Sequence, residues 1–173
     1  MNSSLLSGRL KGEGEIADSR PSGPGTQNGG TDMQYRLLRF GLTGIEHAFA
    51  YGANYRMEGQ GFTTPQDQAS REVWGEWHTG LIRFKTSLTE RWNNIEKDPR
   101  RPRVMGTQGK TTMLVTMPAW PELMISYARD SSWSPSDLSG VPPQRNFTET
   151  VEAALFYAKP TWNARLLSAY SLS

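Results

Sequence analysis

The chain has 173 residues, a net charge of +2 and 21% charged residues. This length suffices for one domain with a sizeable core, and the mixed charges give no sign of a nucleic-acid interface. The mean hydropathy is −0.61, and no apolar run approaches the roughly 18 residues of a transmembrane helix, which excludes a helical membrane protein. Cysteine is absent, so disulfides and thiolate sites are excluded as well.

Apolar and polar residues alternate along most of the chain. A period of two places successive side chains on opposite faces of a β-strand, and here it predicts nine strands. In chain order they are residues 5–16, 34–43, 48–58, 70–78, 81–92, 104–117, 122–128, 147–157 and 163–172. We therefore expect an all-β fold.

The alternation is clearest in residues 81–92, where Arg83 and Lys85 lie on one face and Leu88 on the other. This segment exceeds the usual globular strand of about 5–6 residues. It is long enough for a tilted strand that crosses a bilayer, which needs roughly 9–11 residues. Its apolar face ends in Trp92, whose amphipathic ring is typical of a membrane interface.

The connections between the predicted strands alternate in length. Short turns are expected near residues 45, 79, 119 and 160, and long loops near residues 25, 64, 98 and 138. This antiparallel up-and-down meander, with all long loops at one edge, resembles the bacterial outer-membrane β-barrels. In that family the short turns face the periplasm and the long loops face the exterior. The resemblance covers almost the whole chain and implies a transmembrane β-barrel in the bacterial outer membrane.

Two features depart from the pattern of that family. Bacterial single-chain barrels have an even number of strands, whereas nine are predicted here, and the chain closes on Ser173 rather than on an aromatic residue. No signal peptide is recognisable at the start of the sequence. We therefore expect residues 1–173 to be a single β-barrel domain that forms part of a larger barrel.

The resemblance assigns a role to the polar strand faces. They would line a channel that passes small solutes or exports a polysaccharide, with Trp74 stacking on sugars. An excess of basic residues on these faces would give a mild preference for anions. The predicted pore-lining residues are Arg9, Lys11, Glu13, Glu15, Arg56, Glu58, Glu72, Glu76, Arg83, Lys85 and Arg91. The expected partners are outer-membrane lipid, the transported molecule, and a homo-oligomer or periplasmic protein.

No catalytic, metal or cofactor site is expected. Residues 106–111 resemble a phosphate-binding loop, but that motif requires glycine where the chain has Val104, and a buried strand before it. Glu72 and Glu76 would lie about 13 Å apart at roughly 3.3 Å per residue, beyond the roughly 5–9.5 Å of glycosidase carboxylates. The only histidines are His47 and His78, and both are expected at turns.

A soluble protein is the alternative interpretation. Soluble antiparallel barrels and sandwiches show the same alternation, with the apolar face turned inward. Such a fold would bind an apolar ligand or a carbohydrate, or act on carbohydrate. Long strands, several charges on each polar face and aromatic residues near the strand ends favour lipid against the apolar face.

Overall fold

A computed structural model describes residues 2–5, 9–19, 35–59, 67–95, 98, 101–135, 142–159 and 161–173. Within these ranges the chain forms one sheet of ten strands. The strands are β1 (Asn2–Leu5), β2 (Leu10–Ser19), β3 (Tyr35–Glu46), β4 (Phe49–Glu58), β5 (Gln68–His78), β6 (Ile82–Asn93), β7 (Met105–Val115), β8 (Glu122–Ser134), β9 (Gln144–Lys159) and β10 (Trp162–Leu172). Strand order follows chain order and every neighbouring pair is antiparallel. The predicted all-β, antiparallel up-and-down fold is therefore confirmed.

The sheet is a single open layer, with β1 and β10 as its two edges. In the part of the chain that the structure describes, elements contact each other only as neighbours in the sheet. No described element therefore covers either face, and the described sheet does not close on itself. No helix among the described residues is long and apolar enough to cross a membrane.

Each of the nine predicted strands corresponds to one of the strands β2–β10, and the prediction missed β1. The largest extensions beyond the predicted strands are in β8, which continues to Ser134, and in β9, which begins at Gln144. The polar ends of these strands pair with each other, for example Asp130 with Thr148. Backbone pairing, and not side-chain hydrophobicity, extends both strands there, so residues 129–134 and 144–146 belong to strands and not to the loop predicted near residue 138.

Short and long connections lie at opposite edges of the sheet, because successive strands run in opposite directions. The connections β3–β4, β5–β6, β7–β8 and β9–β10 join strand ends at the short-turn edge, and the connections β2–β3, β4–β5, β6–β7 and β8–β9 join strand ends at the long-loop edge. His47 lies in a turn as predicted and adopts a φ of 53°. His78 is the last residue of β5 and does not lie in a turn.

Asn94 organises the loop between β6 and β7. Its side chain is buried, with 6% of its surface exposed. The Nδ2 group donates to the carbonyls of Asp98 at 2.9 Å and Arg101 at 2.8 Å, and Oδ1 accepts from the Asp98 N–H at 2.7 Å. The Asn94 N–H donates to the Asp67 carbonyl at 3.0 Å, and Asp67 Oδ1 accepts from the Ile95 N–H at 2.8 Å. These bonds tie two loops of the long-loop edge together.

Replacement of Asn94 should loosen this loop without unfolding the sheet. Three side-chain hydrogen bonds, each worth about 1 kcal/mol net, hold the loop, so trypsin cleavage after Arg103 should accelerate by roughly tenfold or more in Asn94→Gly. Asn94→Ala should be cleaved faster still, because the φ of 53° at this position disfavours a Cβ atom by about 1–2 kcal/mol. Cleavage rates equal to those of the unmodified chain would contradict this role of Asn94.

Candidate functional site

The register from β2 to β10 sorts the side chains onto two faces, because residues paired across neighbouring strands share a face. The charged face carries Arg83, Lys85 and Arg91 of β6 together with their cross-strand partners. The apolar face carries Phe84 and Leu88 of β6 together with theirs. Each of the other strands continues both faces through its own pairing.

The predicted pore-lining residues that lie in strands all fall on the charged face. They are Lys11, Glu13, Glu15, Arg56, Glu58, Glu72, Glu76, Arg83, Lys85 and Arg91. Arg9 precedes β2 at the short-turn edge. Its carbonyl accepts from the Ile45 N–H at 2.9 Å, and its Nη1 lies 3.2 Å from Glu46 Oε1.

Glu58 is the centre of an ionic cluster on β2–β4. Its side chain is only 10% exposed, and Oε1 accepts from Arg56 Nε at 2.7 Å and lies 3.7 Å from Arg39 Nη2. Arg39 Nη1 lies 3.6 Å from Glu15 Oε2, which is more than half exposed. One buried carboxylate thus holds the guanidinium groups of two strands in place, and Arg39 links this cluster to β2 through Glu15.

Further cross-strand contacts continue over the charged face. Arg83 Nε lies 3.4 Å from Glu76 Oε1, and Asn54 donates to Glu72 at 3.0 Å. On the next strand pair, Arg91 donates to Gln108 at 2.9 Å. Three cross-strand pairs of this face are therefore joined by side-chain contacts.

Trp74 is the one large aromatic side chain on this face of β5. A Cβ atom at Gly52 would lie 2.6 Å from Trp74 Nε1, so the indole ring lies against the glycine. Lys85 Nζ lies 5.5 Å from the centre of the same ring, in a cation–π contact. The sequence predicted a sugar-stacking role for Trp74, and the structure places this ring beside a cation.

Basic and acidic residues balance on the charged face of β2–β10. Its basic members are Lys11, Arg39, Arg56, Arg83, Lys85, Arg91, Lys110 and Arg165, and its acidic members are Glu13, Glu15, Glu58, Glu72, Glu76, Glu122, Asp130 and Glu152. The predicted basic excess over the whole face is wrong, because Glu122 and Asp130 add two negative charges to this face and Arg9 lies outside the strands. Positive charge is instead local to β6 and β7.

The apolar face carries nearly all the large exposed hydrophobic side chains of the strands. Among the described strand residues, only Ile45 and Leu167 of this group lie on the charged face. The members on the apolar face are Ile16, Phe40, Phe49, Tyr51, Val73, Trp77, Phe84, Leu88, Met105, Ile125, Tyr127, Trp133, Phe147, Val151, Leu155, Leu166, Tyr170 and Leu172. They form a surface that continues from β2 to β10 and that no described element covers.

The structure offers no support for catalysis by the groups weighed from the sequence. Residues 106–111 lie within β7 and therefore form a strand and not a phosphate-binding loop. Glu72 and Glu76 share one face of β5 and are held by Asn54 and Arg83. No cluster of His, Asp and Glu that could hold a metal ion occurs among the described residues.

Comparison with protein-family models finds no match to the chain. Comparison with curated proteins finds no match either.

Removal of the Glu58 charge should destabilise the fold far more than removal of the Glu15 charge. Glu58→Gln leaves Arg39 and Arg56 beside a group that no longer neutralises them. The expected loss is about 1–3 kcal/mol, since a hydrogen bond to a charged group is worth about 1.5–3 kcal/mol and both arginines are partly solvated. Glu15→Gln breaks an exposed pair and should cost less than about 1 kcal/mol. Urea unfolding of both variants measures the difference, and equal losses would contradict a central role for Glu58.

Proposed function

We propose that this sheet is part of the wall of a β-barrel in the bacterial outer membrane, with the apolar face against lipid and the charged face lining a channel. The channel passes hydrophilic molecules, either small solutes or a polysaccharide. The observation that carries the proposal is the separation of the two faces from β2 to β10. The short-turn edge then faces the periplasm and the long-loop edge faces the exterior.

The exposed area of the apolar face supports lipid as its environment. Soluble monomers rarely expose continuous apolar patches above a few hundred Å², and a soluble sheet buries its apolar face under a second layer. Here Trp77 is 47% exposed, Leu88 45% and Leu166 66%. Lipid hydrocarbon chains can cover these side chains without leaving backbone N–H or C=O groups unpaired, because those groups already pair with one another within the sheet.

The height of the apolar face also fits a bilayer. Leu123 and Trp133 of β8 are ten residues apart, which is about 33 Å along a strand at roughly 3.3 Å per residue. A strand tilted by about 40° then spans about 25 Å, the height of the lipid-facing band of such barrels. Trp92 and Trp133 lie at the long-loop end of this band, and Phe49 and Trp77 lie near its short-turn end. Aromatic residues at both ends are the usual arrangement at the two membrane interfaces.

The charged face supplies the properties of a channel lining. Positive and negative side chains alternate on this face, and contacts between strands hold several of them in place. The lining therefore presents charged groups in fixed positions along the channel. Lys85 and Lys110 lie on neighbouring strands, Lys85 opposite Thr112 and Lys110 opposite Ser87. Neither lysine forms an ion pair within the described residues, so the charges of both are available to a passing solute.

The two faces should respond differently to an added charge. Leu88→Arg should destabilise the protein by about 1–3 kcal/mol, because arginine on a lipid-facing strand costs about 2–4 kcal/mol at the bilayer midplane and about 0–1 kcal/mol near an interface, and Leu88 lies between the two. Ser87→Arg changes the neighbouring residue, which lies on the charged face, and should cost less than about 1 kcal/mol. Unfolding by urea from lipid vesicles measures both values. Similar losses at the two positions would mean that the apolar face does not meet lipid.

Ion selectivity tests the channel itself. Lys85→Glu combined with Lys110→Glu should shift the reversal potential under a salt gradient towards cations, because screening over about 8 Å leaves these charges effective in a narrow channel. The matched control replaces Glu76 and Arg83 together with Gln, which removes an ion pair and leaves the net charge and the selectivity unchanged. Unaltered selectivity in the lysine variant would remove these residues from the pore. A chain that stays monodisperse without detergent and gives no conductance would support the soluble alternative.

A further inference from the structure

A cavity of about 570 Å³ interrupts the apolar face on β6–β9, near the long-loop edge. Its floor is Gly109. Leu88, Gly109 and Arg129 follow one another across three strands, and nothing lies within 4 Å of the position of a Gly109 Cβ atom. The missing side chain therefore opens a notch between an apolar wall, Leu88, and a cationic wall, Arg129.

The notch combines positive charge with hydroxyl groups. Arg129 and Arg145 both line it, together with Thr107 and Ser131. Arg129 is more than half exposed, and its Nε lies 3.6 Å from Glu149 Oε1, beyond direct hydrogen-bond length. Arg145 forms no ion pair among the described residues, so the group of Arg129, Arg145 and Glu149 keeps a net charge of +1.

A second ion pair on the apolar face behaves differently. Arg71 Nε donates to Glu90 Oε2 at 2.6 Å, and Arg71 Nη2 lies 2.5 Å from the same oxygen. These two charges neutralise each other at close range and leave no excess. The cationic excess on this part of the apolar face is therefore confined to the notch.

We propose that the notch binds the phosphate headgroup of an anionic membrane lipid. This inference rests on the proposed membrane position of the sheet. Guanidinium groups bind phosphate through paired, charge-assisted hydrogen bonds, and basic pockets between membrane-spanning elements bind lipid headgroups. The lipid chains extend from Leu88 towards the short-turn edge, along Ile125 and Val151. Trp133 pairs with Arg145 across the strands and lies at the level of the headgroups, on the long-loop side of Leu88.

A free phosphate ion would use only the arginines, whereas a lipid also requires the apolar walls. Leu88 is 45% exposed and Phe147 is 50% exposed, and both line the notch. Apolar walls of this kind add affinity for the chains of a lipid and none for an inorganic ion. The proposal therefore commits to the lipid.

The test uses the protein reconstituted in vesicles and then extracted in mild detergent, with bound lipid counted by native mass spectrometry. Vesicles contain phosphatidylcholine with or without phosphatidylglycerol. The unmodified protein should retain phosphatidylglycerol at least fivefold more than phosphatidylcholine, and the combined Arg129→Gln and Arg145→Gln variant should lose this preference. Gly109→Leu keeps both arginines, adds a side chain where a Cβ atom has no neighbour within 4 Å, and should also lose the preference. Arg101→Gln, outside the notch, should retain it.

The outcomes separate this inference from the proposed function. Variants that insert and conduct like the unmodified protein but keep the full phosphatidylglycerol preference would overturn the lipid site alone. If millimolar inorganic phosphate displaced the bound phosphatidylglycerol, the notch would be a site for a simple anion, and the lipid proposal would likewise be overturned. A protein that fails to insert into either vesicle would overturn the membrane position and the lipid site together.

Discussion

The pairing register of a single sheet is the constraint on which the rest of this structure depends. A shift of one residue would move every side chain of a strand to the opposite face, so aligned pairing from β2 to β10 is what keeps charged and apolar residues apart. Leu88 lies between Val73 and Gly109 for this reason. Since no second layer of described residues supports either face, the ladder of backbone hydrogen bonds and the contacts between cross-strand neighbours hold both faces in place.

The two faces differ in crowding as well as in polarity. Glu58, Ser126 and Ala154, all on the charged face, are buried, although no element of the described residues covers them. On the apolar face Phe40 is 52% exposed and Val151 is 46% exposed, although both lie on strands with neighbours on both sides. Side chains converge on the concave side of a curved sheet and diverge on its convex side. Greater burial on the charged face is therefore what a sheet with its concave side on that face would show. It supports the assignment of that face to the inside of a barrel.

The sequence predicted the meander and the two faces because both follow from local alternation, which each strand carries by itself. It missed β1, a strand of only four residues, and it ended β8 before Asp130, because the sequence there has the composition of a loop. That error hid an acidic residue of the charged face. Contacts that depend on register were beyond local reasoning. The gap at Gly109 requires the alignment of three strands, and the bonds of Asn94 require two loops to meet.

The charges within the apolar face explain how such a surface can sit in a membrane. The pairs Arg71–Glu90 and Arg129–Glu149 lie towards the long-loop edge. Nearer the short-turn edge, the cross-strand row from Phe84 to Ala153 and the row from Ile82 to Leu155 contain no charged residue. A charge in hydrocarbon is expensive unless a partner neutralises it or the interface lies within reach. The close Arg71–Glu90 pair meets the first condition, and Arg145, level with Trp133, meets the second. Arg129, held loosely by Glu149, meets both only in part, so an anionic headgroup at the notch completes its neutralisation.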